Sequence, residues 1–386
     1  KEGMVLKIPK AAAGGAIGEI RSVSLENRIR NRDNKNLAVL LPFRLNKTTG
    51  DSVSNNQNII KNDALMRIAL DFYSGVLLAA TFAKDQGIPV TLNVYDTQGS
   101  AGKTRAITAG QNFKNIDAVI GPLRQENVEE AASELRNSDT PVFSPLSNKE
   151  IRIYKNLFQT LPSETMLQEG MLDYIATNGT EKNILLISDG KNMGQRDKIT
   201  ARIPWAKPVR VRKGNFMYPQ DIAQNLDRQT DNWVIMASQD PGLVSTVVGL
   251  LNGLAGRNKL RLFTLDKNSA YDYHDVSNMS LAKLGFTFPS VNKSYDFKTP
   301  VPFTAQYKKR YGVLPNKYAV RGFDITYDVL LRLAAKGDVF KGINGEEETE
   351  YIENKFRYTK KLMAGYQNQS FYIIKYTKDL QFEVVK

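Results

Sequence analysis

The sequence predicts an α/β protein of two lobes, each a doubly wound parallel sheet. Three observations point there. The chain has 386 residues, too long for one ordinary domain and about right for two. Short apolar runs of strand length alternate with longer segments of helical periodicity. The alternation runs twice, with a break near residues 158–162, although no short sequence repeat relates the two series. Successive βα units favour parallel sheets covered by helices on both faces.

The elements follow in order. LAVLLP at 37–42 is a buried-strand run, and the Asn-, Ser- and Thr-rich stretch 46–58 reads as a polar loop. Leu65, Ile68, Ala69, Phe72, Val76, Leu77 and Ala80 keep helical spacing over 63–85, and Gly87 ends that helix. A strand at 90–95, a turn at 97–101, a helix at 103–112, a strand at 117–121, a helix at 126–137 and a strand at 141–144 complete the first series. The second series has helices at 165–178, 195–203, 220–228 and 242–255, and strands at 183–187, 209–211, 233–237 and 262–265.

Composition excludes several chemistries. With no cysteine there are no disulfides, zinc–thiolate sites, iron–sulfur clusters or cysteine nucleophiles. The single histidine, His274, sits in a polar stretch with no nucleophile motif nearby. No GxGxxG, Walker loop, HExxH or GxSxG is present. The sequence therefore predicts neither an enzyme nor a metal or cofactor site. No apolar run approaches the roughly 18 residues a membrane span needs. The net charge of +13 favours anionic partners, but the basic residues are dispersed, which argues against nucleic acid. The chain starts at Lys1 without a Met, so any export signal or lipid anchor is expected upstream of it.

A set of ordered segments resembles the type I periplasmic-binding-protein family of solute-binding proteins and receptor ligand-binding regions. LAVLLPF at 37–43 resembles its first strand, and 72–100 its first long helix and following strand. AVIGPLRQEN at 118–127 resembles its Gly-Pro strand-to-helix turn, and TPVFSPLSN at 140–148 the next strand. LFQTLPSETMLQEG at 157–170 resembles the first crossover. The segment 303–334 resembles its late signature: Phe303, Tyr307, Tyr311, Gly312 and Pro315, then Gly322-Phe323-Asp324 opening a helix. The resemblance implies a three-crossover hinge, with crossovers near 158–163, 285–290 and 337–345. It implies lobe one at 36–160 and 288–345, and lobe two at 161–287 and 346–386.

KEGMVLKIPK at the start resembles the last strand of a LysM repeat, a module that binds peptidoglycan. The small and charged residues after it read as a linker, so residues 1–35 are expected to make few contacts and to tolerate deletion.

In open α/β sheets ligands sit beyond the carboxyl ends of the strands, where helix N-termini favour anions. In amino-acid binders of this family a hydroxyl residue after the Gly-Pro turn holds the ligand carboxylate; the matching position here is Gln125, beside Glu126. Gln125, Glu126 and Asn127 also suit the start of a helix, which is the reading favoured here. By the same resemblance Ser147 matches a ligand contact, Gln239 stands where an aromatic covers the ligand, and Asp266 matches an acid that pairs with an ammonium. Asp189 supplies another strand-end acid. Each has a plain alternative as a cap or an exposed loop residue. The scaffold thus matches better than the pocket.

Two functions are consistent with this. One is a cell-wall-associated, extracytoplasmic interaction or ligand-binding protein. It would resemble the outer-membrane lipoprotein activators of penicillin-binding synthases and take a small polar ligand, peptidoglycan through an upstream LysM-like module, or a cell-wall synthase as partner. The other is the substrate-binding component of an ABC transporter for amino acids or related molecules. Both imply a periplasmic location, the first with an outer-membrane lipid anchor.

Overall fold

A computed structural model describes residues 20–48, 50, 52–110, 113–149, 154–294, 301–341, 343, 345–361 and 364–386. Two seven-stranded sheets form the cores of two lobes. In lobe one the order across the sheet is Tyr358–Lys360, Tyr366–Asn368, Leu157–Gln159, Val142–Ser144, Ala118–Ile120, Lys35–Leu41 and Val90–Asp96. In lobe two it is Phe382–Val384, Tyr372–Tyr376, Thr287–Ser290, Leu260–Phe263, Asn232–Ala237, Asn183–Ser188 and Lys207–Val209. The five strands that open each series are parallel; in lobe one the late strand Tyr366–Asn368 adds to Leu157–Gln159 in parallel and pairs Tyr358–Lys360 antiparallel, and in lobe two both late strands pair antiparallel. Within each parallel set the order is second, first, third, fourth, fifth, so the switch point lies between the first and third strands.

The apolar strands are buried on both faces, as the continuous runs predicted. Leu37, Val39 and Leu41 enter one core cluster and Ala38 and Leu40 the opposite one. Leu185 and Ile187 are divided from Ile184 and Leu186 in the same way. The helix Ala64–Asp85 starts on the cap Asp63, whose carboxylate accepts from the Met66 N–H, and packs against the helix Lys317–Lys336. By length and composition Ala64–Asp85 is apolar enough to cross a membrane, which corrects the sequence reading. Its Met66, Ala69, Phe72, Val76, Leu78, Ala79 and Ala83 are buried in lobe one, as in the core helix of a folded domain.

Three further expectations are corrected. The stretch 46–58 is not all loop: Ser52 caps a helix, Val53–Asn62, which buries no residue and so carries no apolar stripe. The start of the chain is not all linker. Leu25 is buried in the lobe-one core, Arg21–Ser22 pairs with Glu347–Glu348, and the N–H groups of Arg30 and Asn31 donate to the Ala334 carbonyl at 3.0 and 2.8 Å. Residues 20–35 therefore belong to the folded body, while the LysM-like strand lies outside the described residues. Finally, the tail is shared. Strands Tyr358–Lys360 and Tyr366–Asn368 join the sheet of lobe one, and Thr287–Ser290 that of lobe two, so the boundaries drawn at 288 and 346 move. The chain crosses between lobes at 160–163, just after Ser290, and at 369–371 rather than at 337–345.

Candidate functional site

The carboxyl ends of the parallel strands carry the residues singled out in the sequence. At the switch point of lobe one, Gly121 has φ +91°, and a Cβ there would lie 2.4 Å from the Leu40 carbonyl oxygen, so only glycine fits this approach to the first strand. The helix Gln125–Glu134 follows. Gln125 and Ser147 are brought together: the Ser147 hydroxyl donates to Gln125 Oε1 at 3.4 Å, and Gln125 Nε2 donates to Glu129 at 3.1 Å. Behind them Gln159 Nε2 donates to the carbonyls of Ser147 and Lys149. Glu126 is exposed and pairs with Arg124 at 3.3 Å, so it faces solvent rather than a desolvated carboxylate position. Asn127 is buried, and its Oδ1 has no partner among the described residues.

In lobe two, Asp189 also lies at the switch point, but its carboxylate is committed. It accepts from the N–H groups of Lys191 and Asn192, from Asn192 Nδ2 and from the Ser238 hydroxyl. These bonds build the turn into the helix Met193–Arg202. Gln239 is exposed. Asp266 is half-buried, and its carboxyl is pushed up from the usual range by burial and then by the charge of Glu164. Glu164 opens the first helix of lobe two and accepts from Asn148 of lobe one at 3.3 Å. Asn148, Glu164 and Asp266 thus run from one lobe to the other. Sequence reasoning named Asp266 and the neighbour of Asn148, but not Glu164, which reads locally as a first-turn acid.

Where the crossovers meet the end of strand Val142–Ser144, a cavity of ≈ 180 Å³ opens, lined by Leu146, Leu161, Val291, Asn292, Lys317, Tyr318, Arg321, Glu353 and Asn354. A buried polar cluster supports it. Asp324 accepts from the N–H groups of Ile352, Glu353 and Asn354 and from Asn354 Nδ2. Arg321 donates to the Pro145 carbonyl and to Thr160 and Asn354. Burial pushes the Asp324 carboxyl up to about 6, its four donors opposing. Burial, with Asp324 beside it, pushes Glu353 up to about 8.

The Glu353 shift has a consequence for stability. Below the ordinary carboxylate range both folded and unfolded chains hold this proton, and its stabilising contribution is fully present. As pH rises the unfolded chain ionises first, so the contribution is lost until pH passes about 8. Glu353→Gln removes the titration. Relative to the parent it is expected to gain about 2–4 kcal/mol between pH 4 and pH 9, read from urea unfolding at both pH values. A difference that does not change with pH would refute this.

No protein-family model matches the sequence, and neither does any curated protein. Solved structures do match in fold. An ABC-type branched-chain amino acid transporter from Rhodopseudomonas palustris superposes with a TM-score of 0.57 at 13% identity, covering 91% of this chain and 95% of that one. A branched-chain amino acid ABC transporter periplasmic ligand-binding protein from Burkholderia xenovorans gives 0.56 at 11% identity, covering 91% and 94%. The C-domain of LpoA from Haemophilus influenzae, a regulator of PBP1A, gives 0.52 at 16% identity, covering 91% and 100%. The chain has the type I periplasmic-binding-protein fold.

Proposed function

We propose that this chain is a non-enzymatic, extracytoplasmic solute-binding protein that takes a small polar solute between its lobes, as the substrate-binding component of a transporter does. The observation that carries the reading is the line Asn148–Glu164–Asp266, which sets two carboxyl groups at the strand ends between the lobes. A half-buried carboxyl beside a second one has no paired cation among the described residues, and an amine-bearing or hydroxylated solute would supply that partner. Gln125 and Ser147 bond to each other, and this supports a site without a strong carboxylate clamp.

Calorimetry against amino acids, polyamines, sugars and muropeptides tests the proposal. Amine-bearing or neutral polar solutes are expected to bind, and Asp266→Asn to weaken them at least about tenfold. Free leucine is expected to bind more weakly than about 1 mM. Micromolar leucine binding, abolished by bulky apolar substitutions at Gln125 or Ser147, would overturn the assignment of the acids and restore a plain branched-chain role.

A second reading is a wall-associated interaction domain with a cell-wall synthase as partner. The net charge of +13 favours it, as does the fold shared with a domain described as a regulator of PBP1A. A LysM-like strand at 1–10 would tether such a protein to peptidoglycan. Binding of the folded chain to a synthase with every solute silent would select this reading.

A further inference from the structure

The turn after strand Glu347–Glu350 holds a carboxyl group that the fold leaves unsatisfied. Glu353 is only 8% exposed, and among the described residues no hydrogen bond or ion pair reaches its side chain. Its backbone is fixed on both sides: the N–H donates to Asp324 at 3.0 Å, and the carbonyl accepts from the Lys293 N–H at 3.0 Å. The carboxyl lines the ≈ 180 Å³ cavity, whose apolar walls include Leu146, Leu161 and Val291. The residue is buried but its carboxyl borders the cavity, so a ligand there can supply the partner that the protein does not.

We propose that this cavity binds a small organic cation, with the ammonium against Glu353 and the hydrocarbon body against Leu146, Leu161 and Val291. The neighbouring charges favour this sign. Arg321 spends its nitrogens on Pro145, Thr160 and Asn354. Lys293 pairs with Glu350, and Asp324 is held by its four donors. Lys317 is exposed, with its ammonium 5.2 Å from the centre of the Tyr318 ring, where solvent screens it. An anion would meet two carboxyl groups, and a neutral ligand gains nothing from the ionisation of Glu353 that an ammonium drives. The raised Glu353 carboxyl adds a signature: a bound ammonium ionises it, so binding releases a proton and tightens as pH rises toward 8. The site is separate from the acids Glu164 and Asp266, and it stands whether or not those bind a solute.

Isobutylamine, protonated at neutral pH, and isobutanol are matched probes for calorimetry in two buffers of different ionisation heat. The amine is expected to bind at least about tenfold more tightly than the alcohol, with proton release. Glu353→Gln, which unfolds at or above the parent's midpoint at pH 7, is expected to lose that advantage. Asp266→Asn is expected to leave it intact. The proposal is overturned by no amine binding up to about 10 mM, by equal binding of amine and alcohol, by an unchanged affinity in Glu353→Gln, or by a loss confined to Asp266→Asn.

Discussion

Gly322→Val is expected to destabilise lobe one by about 3–5 kcal/mol, read as a lower midpoint in urea or guanidinium unfolding. The helices Ala64–Asp85 and Lys317–Lys336 touch backbone to backbone. A Cβ at Gly322 would lie 2.1 Å from the Phe72 carbonyl oxygen, and one at Gly75 would lie 1.9 Å from that of Ala319. No rotamer relieves a clash between a Cβ and backbone, so the helices must part. Parting them opens the ring contacts of Phe82 with Phe323 and Tyr327 and exposes buried core. Helix propensity works the other way, since replacing glycine within a helix gains at most about 1 kcal/mol. The clash therefore dominates. Gly322→Ala should already show a loss, because the clash begins at Cβ. Should Gly322→Val cost less than about 1 kcal/mol, the helices would be free to separate, and the close approach would not hold the lobe.

Much of this fold was legible because its central strands are buried on both faces. The runs 37–42, 183–187 and 233–237 needed no periodicity beyond being short and apolar, and they fall within one or two residues of Lys35–Leu41, Asn183–Ser188 and Asn232–Ala237. Elements without an apolar signal escaped. Val53–Asn62 is a helix made by its Ser52 cap and local hydrogen bonding, with no buried face to show a stripe. The strand Tyr366–Asn368 buries Gln367 and Asn368, polar residues whose amide nitrogens donate to Gln159, Thr160 and Lys355, so nothing in its composition marked it as interior to lobe one. Together with Tyr358–Lys360 it moved the third crossover to 369–371. The site divides the same way. Strand-end positions are set by topology, so Gln125, Ser147, Asp189 and Asp266 could be named from the sequence. Whether each is free or committed depends on partners elsewhere, as Ser238 is for Asp189. Glu353 had no local signal, because its burial comes from docking against a helix far away in the chain.

Asp324→Ala is expected to cost about 3–5 kcal/mol at pH 7, the range for breaking a buried charged cluster by removing one partner. The carboxylate is fully buried and accepts four hydrogen bonds, at 3.1, 3.0, 2.9 and 2.7 Å, from Ile352, Glu353 and both donors of Asn354. Alanine offers no acceptor, and water reaches the space poorly, so these donors are stranded. The damage should travel in one direction. Asn354 loses its anchor, and with it the Oδ1 that holds the buried Arg321 guanidinium. Arg321 in turn ties the Pro145 carbonyl at the end of a lobe-one strand to Thr160 in the first crossover. Removing one carboxylate thus loosens the turn 351–354, the first crossover and the cavity mouth together. Hydrogen exchange should show lost protection at the amides of Ile352, Glu353 and Asn354, while those of Asn183–Ser188 and Asn232–Ala237 in lobe two stay protected. Asp324→Asn keeps the shape and one acceptor oxygen but turns an amide toward N–H donors, and it should fall between parent and alanine. If the amides at 352–354 kept their protection and stability dropped by less than about 1 kcal/mol, the turn would be held by something other than Asp324. The aim of Glu353 into its cavity would then not depend on this helix.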